Sequence, residues 1–121
     1  MDIITTHRDL KVWQMAVELV VELYRMTENF PKTEQFGLTS QIRRAAVSIP
    51  SNIAEGATRK NTKEYIQFLY VAMGSVSEID TQLEIAKRLG YAKAEPDIED
   101  HLLQVKKMLV SLIKSLHSKL T

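Results

Sequence analysis

Apolar residues recur along this chain at steps of three and four, and no run alternates at steps of two, the spacing of helices rather than strands. Val12, Met15, Leu19, Leu23 and Met26 trace one face of a first helix over about residues 10–28. Residues 1–7 read as an irregular lead-in, and Asp9 is placed to accept from the free backbone N–H groups of the first turn. A second stripe, Trp13, Val17, Val20 or Val21, and Tyr24, runs beside the first. Two adjacent apolar stripes exceed what one bundle core takes. Either this helix is deeply buried, or Trp13, Val17 and Tyr24 form a surface shared with another subunit. Phe30-Pro31 ends the helix, because a residue before proline is pushed out of the α region.

Thr33 is placed to cap a second helix over about residues 34–55. Leu38, Ile42, Ala45, Ile49 and Ile53 form its core face, and Gln41, Arg44, Ser48, Asn52 and Glu55 form a polar ridge beside it. Pro50 falls inside. Proline removes one helical hydrogen bond and collides with the carbonyl four residues back, at roughly 3 kcal/mol in an unkinked helix. A kink or break near Ser48 follows, with Ser48 or Ser51 offering hydroxyls to the freed groups. Gly56 reads as a closing residue in the left-handed region.

Asn61 followed by Glu64 resembles a capping box. It opens a third helix over about residues 62–89, with Tyr65, Leu69, Ala72, Val76, Ile79, Leu83 and Ala86 as a heptad-like seam. Gly74 and Ser75 in its middle suggest a close helix approach, and Gly90 ends it. Pro96 opens a fourth helix, about residues 96–119. Its first turn gathers Glu95, Asp97, Glu99 and Asp100, and Lys114 and Lys119 fall toward its end, both as the macrodipole favours. Ile98, Leu102, Val105, Leu109, Leu112, Leu116 and Leu120 make its seam. Four helices joined by short loops predict an all-α, antiparallel up-down-up-down four-helix bundle, one domain across residues 1–121.

Composition narrows the function classes. With 16 Lys and Arg against 15 Asp and Glu, the formal charge is +1, so any basic surface must come from segregation of charge, not excess. The absence of cysteine excludes a disulfide framework, a thiolate zinc site and a cysteine nucleophile. The opening MDIITTHRDLK lacks the apolar core of a secretory signal, and no stretch approaches the roughly 20 apolar residues a membrane span needs. A cytoplasmic location is expected.

Catalytic chemistry finds no foothold. His7, His101 and His117 are preceded three positions back by Ile4, Ile98 and Lys114, so the Glu-x-x-His pairs of di-metal bundles are absent. The acidic cluster at residues 95–100 is accounted for by its first-turn position. The four glycines are too dispersed for a phosphate loop, and no serine lies in a nucleophile elbow. No enzyme, metal or cofactor is expected. Basic residues remain: Arg43 and Arg44 on the second helix, then Arg59, Lys60 and Lys63 after it. Such a set can track a nucleic-acid backbone without reading bases. Equally, Arg44 can pair with Glu55 or Glu78, and Arg59 to Lys63 can be a solvated loop.

DLKVWQMA in the first helix, GLTSQIRRAAVSIPSNIAEG through the second and FLYVAMGSVSEIDTQLEIA in the third resemble the bacterial 23S rRNA-intervening-sequence proteins. The resemblance covers nearly the whole chain. It implies a four-helix bundle similar in fold to the accessory variability determinant of diversity-generating retroelements, a homopentameric barrel that binds nucleic acid and a reverse transcriptase. By that likeness the chain is expected to form a homo-oligomeric ring, a pentamer, with a scaffolding or nucleic-acid-associated role. Arg43 and Arg44 correspond to the family's paired arginines, and Asn52, Glu55 and Gly56 to its closing signature. An RNA-binding module built on Arg43, Arg59, Lys60 and Lys63, or a protein-binding adaptor, are the alternatives.

Overall fold

A computed structural model describes residues 6–93 and 95–120. Four helices carry the described chain: α1 Lys11–Thr27, α2 Leu38–Ala57, α3 Thr62–Arg88 and α4 Pro96–Ser118, with short 3-10 turns at His7–Asp9 and Lys32–Glu34. Sequential helices pack on each other, α2 most extensively on α3, and α4 closes back on α1. Cross-contacts show every neighbouring pair to be antiparallel. The end of α1 meets the start of α2 through Arg43 and Thr27. Gly56 near the end of α2 meets Tyr65 and Phe68 near the start of α3, Lys87 meets Glu99 between α3 and α4, and Glu22 meets His101 between α1 and α4.

The core follows the periodicities closely. Leu19, Leu23, Ile42, Ile49, Ile53, Leu69, Ile79, Val105 and Leu109 are wholly buried. On α4 the seam drifts from the expected register near its end: Ile113 is buried where Leu112 is only partly so, and Leu120 is exposed. A straight helix at 3.6 residues per turn walks off a strict seven-residue repeat. No described helix is long and apolar enough to cross a membrane.

Several expected helix ends and packing roles differ. Residues 1–5 of the lead-in lie outside the described residues, but Thr6 and Asp9 form a capping box around the first 3-10 turn. Asp9 therefore caps that turn, and α1 starts after it. The second helix begins at Leu38, not near residue 34, and its capping side chain is Glu34 rather than Thr33: the Glu34 carboxylate accepts from the Leu38 N–H at 3.0 Å. The helix then runs unbroken across the buried Pro50 to Ala57.

Gly56 does not close α2 in a left-handed conformation; among described residues only Gly90 has a positive φ, at 77°. A Cβ on Gly56 would lie 2.8 Å from the Phe68 Cβ and 3.0 Å from a Tyr65 ring carbon, so this glycine lets α2 and α3 touch. Gly74, expected at such a contact, faces open space with nothing within 4 Å.

Candidate functional site

The paired arginines of α2 point to different environments. Arg43 donates from Nε to the Thr27 Oγ1 at 2.9 Å and from Nη2 to the Tyr24 carbonyl at 3.1 Å. Its guanidinium also lies 4.5 Å from the Tyr24 ring centroid. Thr27 is buried and donates its own proton to the Leu23 carbonyl at 2.8 Å. Arg43 thus places a cation and a donor fork on the last turn of α1, where free carbonyls and the negative end of the macrodipole stabilise both. Arg44 is exposed and forms no ion pair with Glu55 or Glu78; Glu55 is instead 3.6 Å from Arg59.

Ser48 does not serve groups freed by Pro50. Its hydroxyl accepts from the Asn52 amide at 2.9 Å and from the Ser75 hydroxyl at 2.9 Å, and the same amide reaches the Ser48 carbonyl at 2.7 Å. That network lies between α2 and α3, where each partner would otherwise be a costly unpaired polar group.

Around this ridge is an open depression of about 650 Å³, lined by residues of α1, α2 and the loop before α2. Tyr24 is 39% exposed, Val47 42% and Phe36 90%. Arg44 and Ser48 continue it into a more polar hollow that includes Gln41 and Glu78. The Phe36 loop is held at both sides. Tyr91 donates its hydroxyl to the Glu34 carboxylate at 2.9 Å, and the Phe30 ring packs on Tyr91 at 5.8 Å. Hydrogen bonds from the Leu38 N–H, first, and from Tyr91 hold Glu34 below the usual carboxylate pKa, while that carboxylate raises Tyr91.

The remaining expected residues are dispersed. Arg59 stacks over Phe68 at 4.7 Å and faces Glu55, so it is held at the α2–α3 corner. Lys60 and Lys63 are exposed on the loop and first turn beyond. Neither forms an ion pair within 4 Å, and both lie past the far end of α2 from Arg43, so the structure does not join the three in one patch. Trp13 and Val17 are half-buried, with Trp13 packed on the core, edge-on to His7 and beneath Arg8. Of the second stripe, Val21 and Tyr24 are exposed, while Trp13, Val17 and Val20 are only partly so. Phe36 escaped the periodic reading because it belongs to no helix.

His101 donates its Nδ1–H to the Glu22 carboxylate, 2.7 Å away, and this bond, with the carboxylate charge, raises its pKa. The pair ties α1 to α4. Among described residues no group of three His, Cys, Asp or Glu could hold a metal ion.

The family model described as "23S rRNA-intervening sequence protein" matches residues 8–111. The chain belongs to that family. Within the 23S rRNA-intervening sequence family fold, Arg43, Asn52 and Gly56 have packing roles: one terminates α1 and the other two join α2 to α3. A crystal structure from Bacteroides thetaiotaomicron, described as a protein of unknown function from the S23 ribosomal protein family, is similar. It superposes with a TM-score of 0.76 at 27% identity, over 85% of this chain and 98% of that one. No match was found among curated proteins.

Proposed function

We propose that this 23S rRNA-intervening sequence protein is a non-enzymatic, cytoplasmic scaffold subunit that assembles with copies of itself into a closed ring, a homopentamer. The observation that carries the reading is the apolar cleft of Tyr24, Val47 and the 90% exposed Phe36. An aromatic ring held outward by a pinned loop is surface that a partner can cover without ordering cost. A ring forms when one patch meets a different patch of the next subunit. The outer face of α3, with Tyr70 and Val71 at 50% and 54% exposure beside the open Gly74, is the apolar face available to meet it. The number five rests on the resemblance to the pentameric accessory determinant.

Light scattering at micromolar concentration tests the reading. The native chain should run as a discrete multiple of its 13.8 kDa mass, and Phe36→Asp should release monomer with an unchanged circular dichroism spectrum. An unaltered mass for Phe36→Asp would remove the cleft from the interface; a native monomer would end the proposal.

A further inference from the structure

Charge in this nearly neutral chain is segregated along the bundle axis. The antiparallel topology brings the start of α1, the loop between α2 and α3, and the end of α4 to one end. From residue 101 onward the sequence holds Lys106, Lys107, Lys114 and Lys119 and no acidic residue, whereas residues 95–100 hold four acidic residues and no cation. Complementing the helix macrodipole explains part of this arrangement. It does not explain the other two elements at that end. Lys11 is the first residue of α1, whose first turn has no acidic side chain, and Lys63 lies in the first turn of α3. Cations at helix N-termini oppose the dipole, so complementing it does not account for Lys11 or Lys63.

The geometry separates these lysines from ordinary surface charge. Lys106 lines a hollow with Asp80 and Glu99, which screen it. Lys107 turns the other way and borders, with Lys11, an open groove of about 450 Å³ between α1 and α4, floored by apolar side chains such as Leu10 and Met108. Lys114 lies two turns further along the same face of α4. Lys11, Lys60, Lys63, Lys107, Lys114 and Lys119 are all exposed, and none forms an ion pair. The acidic residues at this end are partly committed: Asp9 closes the capping box, Glu55 faces Arg59, and Glu64 is in the first turn of α3, leaving Glu18 on α1. Lys114 and Lys119 lie beyond the residues matched by the family model.

We propose that this lysine-rich end, centred on the α1–α4 groove, binds the phosphate backbone of a double-stranded nucleic acid without reading its sequence. Lysines are flexible point charges suited to rows of phosphates, and the two arginines at this end, Arg8 and Arg59, lie over the Trp13 and Phe68 rings. Among the aromatic rings at this end, Trp13 is engaged with His7 and Arg8, Phe68 is covered by Arg59 and Tyr65 is half-buried, so no open stacking platform for splayed single-strand bases is offered. The site is at the opposite end of the bundle from Arg43, and it does not require the ring: assembly would multiply the contacts, but one subunit already carries the surface.

The test is fluorescence anisotropy of a labelled 20-base-pair duplex from 50 to 200 mM salt, with the intact chain. Six phosphate contacts predict a fall in affinity of about 1,800-fold across that range, and three predict about 40-fold. Lys107→Glu/Lys114→Glu/Lys119→Glu should weaken binding at 50 mM salt at least tenfold and flatten the salt dependence to the second value. Lys32→Glu/Lys93→Glu, two charge reversals of the same kind at the opposite end, should leave both unchanged. If the α4 variant fails to fold by circular dichroism, Lys60→Glu/Lys63→Glu gives the loop arm of the same test, with a smaller flattening. No binding at 50 mM, an equal loss in the Lys32/Lys93 control, or displacement of the duplex by polyglutamate at equal charge concentration would each overturn the proposal. Light scattering on the same variants keeps it separate from the assembly reading, because their subunit number should not change.

Discussion

Gly56 and Gly74 allow one chemical change, glycine to alanine, to be made twice in the same protein with opposite expected signs. Mid-helix, alanine is favoured over glycine by roughly 0.8–1 kcal/mol. Gly74 is exposed with nothing within 4 Å of a built Cβ, so Gly74→Ala should stabilise by about that amount. Gly56 is buried one residue before the end of α2, where the propensity gain is smaller, about half a kcal/mol. Its new methyl would lie 2.8 Å from the Phe68 Cβ, 3.0 Å from a Tyr65 ring carbon and 3.3 Å from the Tyr65 carbonyl oxygen. Two of those atoms belong to or adjoin the α3 backbone, so relief requires moving the helix. Overpacking of this kind costs about 1–3 kcal/mol, which leaves Gly56→Ala destabilised by about 0.5–2.5 kcal/mol. Urea titration followed by circular dichroism, with the slope m unchanged, measures both. A stabilised Gly56→Ala, or a destabilised Gly74→Ala, would refute the assignment of close approach to one glycine and open space to the other.

Three further outcomes are expected. Arg43→Ala removes the donor fork from the Thr27 hydroxyl and the Tyr24 carbonyl and should cost about 2 kcal/mol in a urea titration; Arg43→Lys should restore only part of it. The His101 pKa is raised in the fold by its hydrogen bond to Glu22, so the pair's contribution is complete below the unfolded value of about 6.5 and is lost as pH rises through the folded value. Melting temperatures measured from pH 6 upward should therefore fall more steeply for the native chain than for Glu22→Gln, and parallel curves would contradict the pairing. Gln82 is buried at 8% exposure with its Oε1 unpartnered; Gln82→Leu should gain about 1 kcal/mol and raise the melting temperature by about 3–5 °C.

The bundle was legible because its signals are local. Ile42, Ile49 and Ile53 on α2, or Leu69, Val76 and Ile79 on α3, declare a buried face through spacing alone. Where residues act across helices, spacing is a weaker guide. Arg43 finds its partners 16 and 19 positions away, so Arg43 and Arg44 look equivalent in sequence and differ completely in the fold. The phase of Gly56 was readable: it continues the Ile49 and Ile53 row, which marks a core glycine, not a terminating one. Gly74 falls off the Leu69, Ala72 and Val76 row, which places it outside. Glu34 as the cap of α2 was hidden because the loop at residues 35–37 loops the chain back before the helix starts. The separation of lysines from acids along α4 was visible in order, but its meaning required knowing that Lys11 and Lys63 join the same end.

The central claim is that the chain works as an assembly, and native mass spectrometry of the intact chain at micromolar concentration tests it most directly. Five chains of 13.8 kDa predict a single species of about 69 kDa, collapsing to monomer in Phe36→Asp. A native chain that runs only at 13.8 kDa would contradict the account.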